Sequence, residues 1–511
     1  LFAGLSLWEM SGDSLTTDER CHLPAGYAFW KAGEFRLSPE HPPLARLLCA
    51  APLLPMDLRL PPLQPPPGMT WHKYMVPFGS AFFRLNSDVE RILPRSRLPV
   101  VALGILLVVT LFLWSWRLHG DPRAGLLSLA LAATEPTLIA HSHYVTTDIA
   151  LAAFLLPAFF ALWRFSTTGR WRSLVVAVAA MGLALAAKFS ALVLLPIFLG
   201  LLVFRWPTSL RRDAPVSDMT RRALVTGGSL MMMALLIQAS YLFSPDLTLY
   251  FKGPAEVRAM IPADYPAYVL GSFHIGGVFW YAPFAWLVKT PLATQLVMVF
   301  GLVLCLRDRS RARDTCVFLL LPAAVYGIAV CLLTDNLGVR YLIPVTVFLL
   351  VASGAAFRWF AATGRRRAAA LLLGAWLLLS VGRSAPHFIA YFNETVGGPD
   401  RAAGILHDSN LDWGQDLKRL ARWQEDHGVQ DLVLYYWGAA QPEYYGVRYR
   451  RLTGEMAVAD HPPAGVYAIS VNHLVDMKKR VVLEGADPRL DWLARFRPAD
   501  RVGYSIYIYR F

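Results

Sequence analysis

The chain has 511 residues, 55% hydrophobic and 13% aromatic, with a formal net charge of +13; its mean hydropathy is +0.41 and its pI about 9.6. These values exclude an ordinary soluble globular protein and describe a polytopic α-helical membrane chain. The basic excess does not read as nucleic-acid binding, because the arginines cluster in loops between apolar runs, where they set topology.

Residues 1–10 read as the outer end of a span whose start is missing. A first outer loop, 11–96, follows. It carries Thr16-Thr17-Asp18-Glu19-Arg20-Cys21-His22 near its start and Glu40-His41-Pro42-Pro43-Leu44 further on. Carboxylates beside a lipid-adapted bundle point to chemistry at the membrane surface. The run Pro61-Pro62-Leu63-Gln64-Pro65-Pro66-Pro67 makes the loop extended and stiff rather than helical, a covering on the membrane face. Residues 44–54, entered through two prolines, predict an apolar helix along the interface. Cys21 and Cys49 share this compartment and pair if their Cα atoms lie within reach of a disulfide; the absence of any CxxC excludes a zinc module.

Apolar runs then recur at 97–116, 124–140, 149–163, 173–187, 189–204, 223–243, 278–304, 315–333, 341–357 and 368–386, or about eleven spans with the truncated first one; crossing the hydrocarbon takes about 20 residues. Basic residues mark alternate loops as cytoplasmic: Arg117 and Arg123; Arg164, Arg170 and Arg172; Arg205, Arg211, Arg212, Arg221 and Arg222; Arg307, Arg309, Arg311 and Arg313; Arg358, Arg365, Arg366 and Arg367. The complementary segments face outward: 11–96, the turn His141-Ser142-His143-Tyr144, the turn at Lys188, 244–277, 334–340 and everything after about 387. All candidate chemistry therefore lies on one side.

Several of these outer ends carry ionisable groups. Asp148 follows Thr146-Thr147 and lies near His141 and His143, a set able to ligate a divalent cation, the one candidate cofactor. Lys188, Lys289 and Arg340 are the cations available to an anionic ligand, although each also fits a side chain snorkelling to headgroups. Arg340 leads them, because a guanidinium grips a phosphate with two bonds. Lys289 sits in an apolar segment beside Pro291, which predicts a broken span lining a pocket. Tyr241, Tyr265, Tyr268, Trp280 and Tyr281 surround 244–277 and fit either an interfacial belt or a stacking surface for a lipid-linked sugar.

Composition changes near residue 388. The chain divides into a membrane region, 1–387, and a soluble outer α/β domain, 388–511, with strands at 431–438, 465–471 and 503–511. Asp412 would cap a helix running to residue 426, with Leu417, Leu420 and Trp423 on one face. Asp408, Asp412 and Asp416 invite a cation-site reading, but their spacing also fits one solvated helix face and its cap, and the domain is better read as binding the acceptor or covering the active site.

Asp18-Glu19 followed by His41-Pro42-Pro43-Leu44 resembles the first outer loop of the GT-C glycosyltransferases, in the protein O-mannosyltransferase branch. Asp148, Lys188 in Ala187-Lys188-Phe189-Ser190, and Arg340 in Gly338-Val339-Arg340-Tyr341-Leu342-Ile343-Pro344 resemble that superfamily's outward span ends. Tyr391-Phe392-Asn393-Glu394 and the 408–416 segment are similar to bacterial phospholipid-carrier-dependent glycosyltransferases.

The resemblance implies a GT-C fold and transfer of a sugar, with inversion, from a polyprenyl phosphate to a hydroxyl or amine of a protein, lipid or glycan. It places the activity at the outer face of a bacterial inner membrane. Asp18 would be the general base, and Glu19 either a neighbour that supports it or orients the acceptor, or a structural residue. Arg340, Lys289 and Lys188, with His41 and Asp148, would hold the donor phosphate, a leaving group that needs cations more than an acid. The rivals are a secondary transporter or flippase for lipid-linked sugars, and a binder without turnover. Transporters place ionisable residues near the midplane, whereas these acids gather at one outer face.

Overall fold

In the computed structural model, which describes residues 1–210, 215–260, 262 and 264–511, the predicted apolar runs are helical over most of their length. Arg211 and Arg212 lie outside the described residues. Among the described residues five helices are long and apolar enough to cross a membrane, fewer than the eleven spans expected because several apolar runs form shorter helices: Val89–His119, Asp148–Thr168, Asp218–Ser240, Arg309–Leu333 and Val339–Ala361. A sixth is the pair Tyr281–Lys289 and Leu292–Arg307, bent by 110°. The bend falls at Thr290-Pro291, as expected where proline removes a helical donor. Shorter apolar helices, including Pro122–Ala133, Trp171–Ala187 and Phe189–Phe204, fill the bundle. Val109, Val175, Leu235, Leu332, Leu371 and Leu378 project exposed from it, the apolar rim a lipid environment accepts.

The first outer loop departs from expectation. It is largely helical, with helices at Glu19–Ala32, Leu44–Ala50 and Trp71–Leu85. The proline-rich stretch 57–70 is its longest irregular segment, with shorter ones at 13–18 and 38–43. Proline content was a local signal there, and the flanking segments fold because they have a core to share: Tyr27, Leu53 and Phe82 are fully buried together. Gly26 permits this packing, since a Cβ there would come within 2.4 Å of the Arg46 carbonyl oxygen. The helix predicted at 44–54 is present, continuing as a 3₁₀ turn, Ala51–Met56. Cys21 and Cys49 are free, buried thiols.

A hairpin of β1 (Ala267–Val269) and β2 (Ser272–His274) stands in the 244–277 segment. Five further strands form one sheet: β3 (Leu432–Tyr435), β4 (Tyr449–Arg451), β5 (Val466–Ser470), β6 (Asp500–Val502) and β7 (Ile506–Arg510). The order is β4-β3-β5-β7-β6, parallel between β4, β3 and β5 and antiparallel thereafter. Central β5, rich in Val, Tyr and Ile, pairs Val433 with Tyr467 and Ala468 with Ile508. The edge strands carry Arg450, Arg451, Asp500 and Arg501, charges that discourage further pairing. One sheet face packs on the first outer loop through Leu15, Leu23 and Tyr27, and the other on Tyr268 and Tyr281. The sheet therefore closes over one end of the bundle.

The helix expected from Asp412 begins instead at Leu417. Residues 408–416 form a 3₁₀ turn, Asp408–Asn410, and then an irregular stretch, because their side chains and backbone bond to neighbouring loops.

Candidate active site

Asp18 occupies the N-cap position of Glu19–Ala32, yet its carboxylate makes no capping bond. An aspartate there ordinarily accepts from the first-turn amides. This one accepts from Arg340 Nη1 at 2.7 Å. The same Arg340 nitrogen lies 3.7 Å from Asp148, and Asp148 accepts from Lys188 Nζ at 2.5 Å. Four charges from four distant stretches thus alternate along one wall: Asp18, Arg340, Asp148, Lys188. Each sits where a helix begins or breaks. Asp148 opens its helix, Lys188 is the extended residue between Trp171–Ala187 and Phe189–Leu194, and Arg340 lies in the turn Val339–Leu342. Arg340 also lies over the rings of Trp413 at 4.5 Å and Tyr341 at 5.3 Å, and Lys188 over Tyr341 at 4.9 Å.

These groups line a cavity of about 150 Å³ together with His22, His41, Thr146, Thr147, Ser190, Tyr326 and Asp335. Asp148 is 3% exposed, whereas the Asp18 side chain keeps 26%, so the base candidate is the one open to an incoming molecule. His22 accepts from Arg46 Nε at 3.1 Å through Nδ1, which requires a neutral ring. Burial agrees, drawing His22 down to about 3. Burial also holds His41 well below the usual histidine range, with Lys188 and Arg46 adding to it. Arg46 in turn binds Glu40. The Glu40-His41-Pro42-Pro43 corner is therefore fixed from behind, and its His41 Nδ1 carries no hydrogen bond.

Residues 408–416 clamp the Arg340 turn. Val339 N–H donates to Asn410 Oδ1 at 2.9 Å, Ser409 Oγ donates to the Leu337 carbonyl at 3.1 Å, and Trp413 stacks under the guanidinium. Gly338 allows the approach, since a Cβ there would lie 2.3 Å from Ser409 Oγ. Thr17 N–H donates to the Trp413 carbonyl at 3.1 Å, so the segment also fixes the loop that presents Asp18. Asp412 and Asp416 are fully buried, which excludes the solvated-face reading. Asp412 accepts from Gly414 and Asn472 amides, Asp416 from Arg419 and Ser505. Burial pushes Asp412 up to about 8 and Asp408 up to about 6.

Four sequence candidates, Glu19, Lys289, His141 and His143, stand apart from the cavity. Glu19, fully buried, accepts from Arg97 at 2.8 and 2.7 Å, from Thr16 N at 3.0 Å and from Val145 N at 3.1 Å. Burial raises its carboxyl, but Arg97 outweighs that and holds it below the ordinary range. Lys289 spends its ammonium on the carbonyls of Ile389 at 2.7 Å and Asn410 at 2.5 Å. It supports the clamp and does not line the cavity. His143 donates to Asp13 at 2.9 Å and His141 packs edge-on against Trp413, so the His141, His143 and Asp148 set does not converge. Among the described residues, no group of three or more His, Cys, Asp or Glu side chains is placed to hold a metal ion. Trp413, Asn410, His22 and Tyr341 join the site without having been singled out in the sequence. A tryptophan inside the Asp-rich 408–416 segment was the available signal.

Two further spaces share lining residues with this cavity in succession. Through Thr334 and Asp335 the cavity adjoins a second space of about 290 Å³ lined by Tyr265, Val278 and Phe279. Through Phe279, Cys331 and Leu332 that space meets an apolar groove of about 830 Å³ between Tyr281–Lys289 and Leu321–Leu333. Trp286, Leu320, Ile328, Leu342 and Leu349 line the groove.

A family model described as dolichyl-phosphate-mannose-protein mannosyltransferase matches residues 78–221. No curated protein sequence matches the chain. Among solved structures, ArnT from Cupriavidus metallidurans in the apo state is similar, with 13% identity and a TM-score of 0.50, over 99% of this chain and 96% of that one. The same protein bound to undecaprenyl phosphate gives 13% identity, a TM-score of 0.47 and the same coverage. Archaeal oligosaccharyltransferase AglB from Archaeoglobus fulgidus, in complex with an inhibitory peptide and a dolichol-phosphate, gives 11% and 0.42 over 95% and 71%. The likeness to apo ArnT runs through nearly the whole of both chains, and the two share one fold, the GT-C fold.

Proposed function

We propose that this protein transfers a sugar, with inversion, from a polyprenyl-phosphate donor to an acceptor hydroxyl or amine at the outer face of a bacterial inner membrane. The observation that carries this reading is the Asp18 to Arg340 contact of 2.7 Å beside Lys188 and Asp148, in a cavity that shares lining residues with a space bordering an apolar groove. The family description over 78–221, which includes a lipid-phosphate sugar, supports the donor class.

In this reading the lipid chain lies in the groove and the phosphate beside Arg340 and Lys188. Both cations are aimed before the donor arrives: Asp148 bonds Lys188 and lies beside Arg340, while Trp413 and Tyr341 floor the guanidinium. Such fixed charges stabilise a leaving phosphate without reorganising during the reaction. The acceptor O–H or N–H attacks the anomeric carbon from the side opposite the phosphate. The bond from the anomeric carbon to the phosphate oxygen breaks as the new bond forms, and the acceptor proton passes to Asp18. Donor phosphate entering beside Arg340 shares the cation that Asp18 holds in the free protein, which frees the carboxylate for that proton. The neutral rings of His22 and His41 add no charge to compete for it. Glu19 and Lys289 act at a distance, holding the first outer loop and the 389–410 backbone.

Two readouts test this together. NMR of the product should show an inverted anomeric centre, and Arg340→Gln should raise the donor KM at least about tenfold, as loss of a charge-assisted contact requires. Retention of configuration, or an unchanged KM, would remove the assignment.

A further inference from the structure

A pocket of about 290 Å³ lies between the 244–277 segment and the C-terminal sheet, and nothing above uses it. Tyr265, Pro266 and Phe273 come from the outer segment; His407, Asp408, Trp437, His473, Asp476 and Lys479 come from beyond residue 388. Its size is at the small end of ligand sites, enough for one ring rather than an extended chain.

The lining has two chemistries. Tyr265, Phe273 and Trp437 offer aromatic surface, and Tyr265 is 41% exposed, so part of that surface is open. Asp476 and Lys479 stand as a pair at 2.8 Å, setting an acceptor next to a donor. Vicinal hydroxyls, each both donor and acceptor, complement such a pair, while the C–H face of a pyranose suits an aromatic wall. The neighbouring backbone is already committed: Asp408 N–H donates to Asn472 Oδ1 at 2.9 Å, and the Asn472 amide donates to the Asp412 carbonyl at 2.9 Å. A peptide, which binds through main-chain bonds, would find few partners.

Position links this pocket to the chemistry. Asp408 lines it, holds a left-handed backbone (φ 57°), and precedes Ser409 and Asn410, which clamp the Arg340 turn. Strained polar residues of this kind gather at functional sites. Asp408 is also close enough to Asp18 and Arg340 to feel both charges.

We propose that this pocket binds one sugar ring of a glycan acceptor, from which the attacking hydroxyl extends past Asp408 toward Asp18. The role as acceptor site rests on the glycosyl-transfer reading, whereas saccharide binding does not. Saturation-transfer NMR on the full-length protein in detergent, with a panel of methyl hexopyranosides and N-acetylhexosaminides as probes, tests it. At least one glycoside should receive saturation at its ring protons. Its binding should weaken about fivefold to tenfold in Tyr265→Ala and in Trp437→Ala, as loss of an aromatic contact implies. Trp437→Phe should recover binding, which separates lost stacking from misfolding. Absence of saturation from every glycoside, or equal binding by both alanine variants, would overturn the proposal. Displacement of the bound glycoside by a short Ser/Thr peptide would reassign the pocket to a protein acceptor and overturn it as well. The two readings fail separately: polyprenyl-phosphate release that ignores Asp18→Asn contradicts the base, and Asp18-dependent release without glycoside binding contradicts this pocket alone.

Discussion

Removing Arg97 should unfold the outer face of the molecule far more readily than removing the pair it belongs to. Arg97 and Glu19 are 1% and 0% exposed at their side chains and share two bonds, 2.8 and 2.7 Å long. Arg97 also donates to the Ser14 and Asp13 carbonyls at 2.8 and 3.1 Å. Arg97→Met leaves a buried carboxylate without its counter-ion, a change that costs about 3–5 kcal/mol. At about 2.1 cal/mol/K per residue the unfolding entropy of the 511-residue chain is about 1.1 kcal/mol/K, so Tm should fall by about 3–5 °C. Glu19→Met strands the guanidinium and should cost about as much. The double variant leaves neither charge and should lie above either single one, because isosteric apolar replacement of a buried pair is near neutral. Melting curves in detergent near neutral pH give all four corners of the cycle. Glu19 is held below the ordinary carboxylate range, so the stability it contributes is complete above about 4.5 and is lost as pH falls through its folded value. Additive losses in the double variant would refute the argument. So would a well-folded double variant with no turnover, which would put Glu19 in the chemistry.

Acid should weaken the site corner through His22, whose folded value of about 3 lies below the usual 6.5. The unfolded chain takes up the proton first, so stability falls by about 1.4 kcal/mol per pH unit as pH drops below 6.5 toward 3. His22→Gln should flatten that part of a Tm-against-pH profile, and an unchanged profile would contradict it. Asn410→Ala removes the acceptor of the Val339 amide and should lower kcat at least about tenfold through a loosened Arg340 turn, with a far smaller effect on Tm. Equal losses of kcat and folded protein would make Asn410 merely structural. Ala324→Trp, which fills the apolar groove, should raise KM for a long polyprenyl donor while sparing a short-chain analogue; equal effects on both would place the lipid elsewhere.

The sequence disclosed the architecture wherever one physical term dominated. Apolar runs became helices, the Val- and Tyr-rich segments near 433, 467 and 508 became strands, and Asp18, Asp148, Lys188, His41 and Arg340 converged on one cavity. Their expected place at the same ends of the spans was enough to gather those five. It was not enough to say which way a side chain points. Asp18 and Glu19 are neighbours, but successive helical residues diverge by about 100°, so one meets Arg340 and the other meets Arg97. Lys289 read as a pocket residue because its segment is apolar, yet two backbone carbonyls satisfy it. The first outer loop was misread because proline marks only the residues around it, while the flanking helices depend on partners such as Leu417 and Ile508, remote in the chain. The same long-range packing explains why 408–416, taken for part of a helix, serves instead as the clamp over Arg340.

The central claim, that Asp18 is the base of a lipid-phosphate-dependent glycosyl transfer, is tested most directly by single-turnover release of polyprenyl phosphate. Purified full-length protein would be given a panel of labelled polyprenyl-phosphate sugars and a membrane extract as acceptor, with wild type and Asp18→Asn side by side. The account predicts release from at least one donor and a fall of about 10²–10⁴ in rate for Asp18→Asn, with donor binding retained. Release at the wild-type rate from Asp18→Asn, or movement of donor across a bilayer without any release, would contradict it.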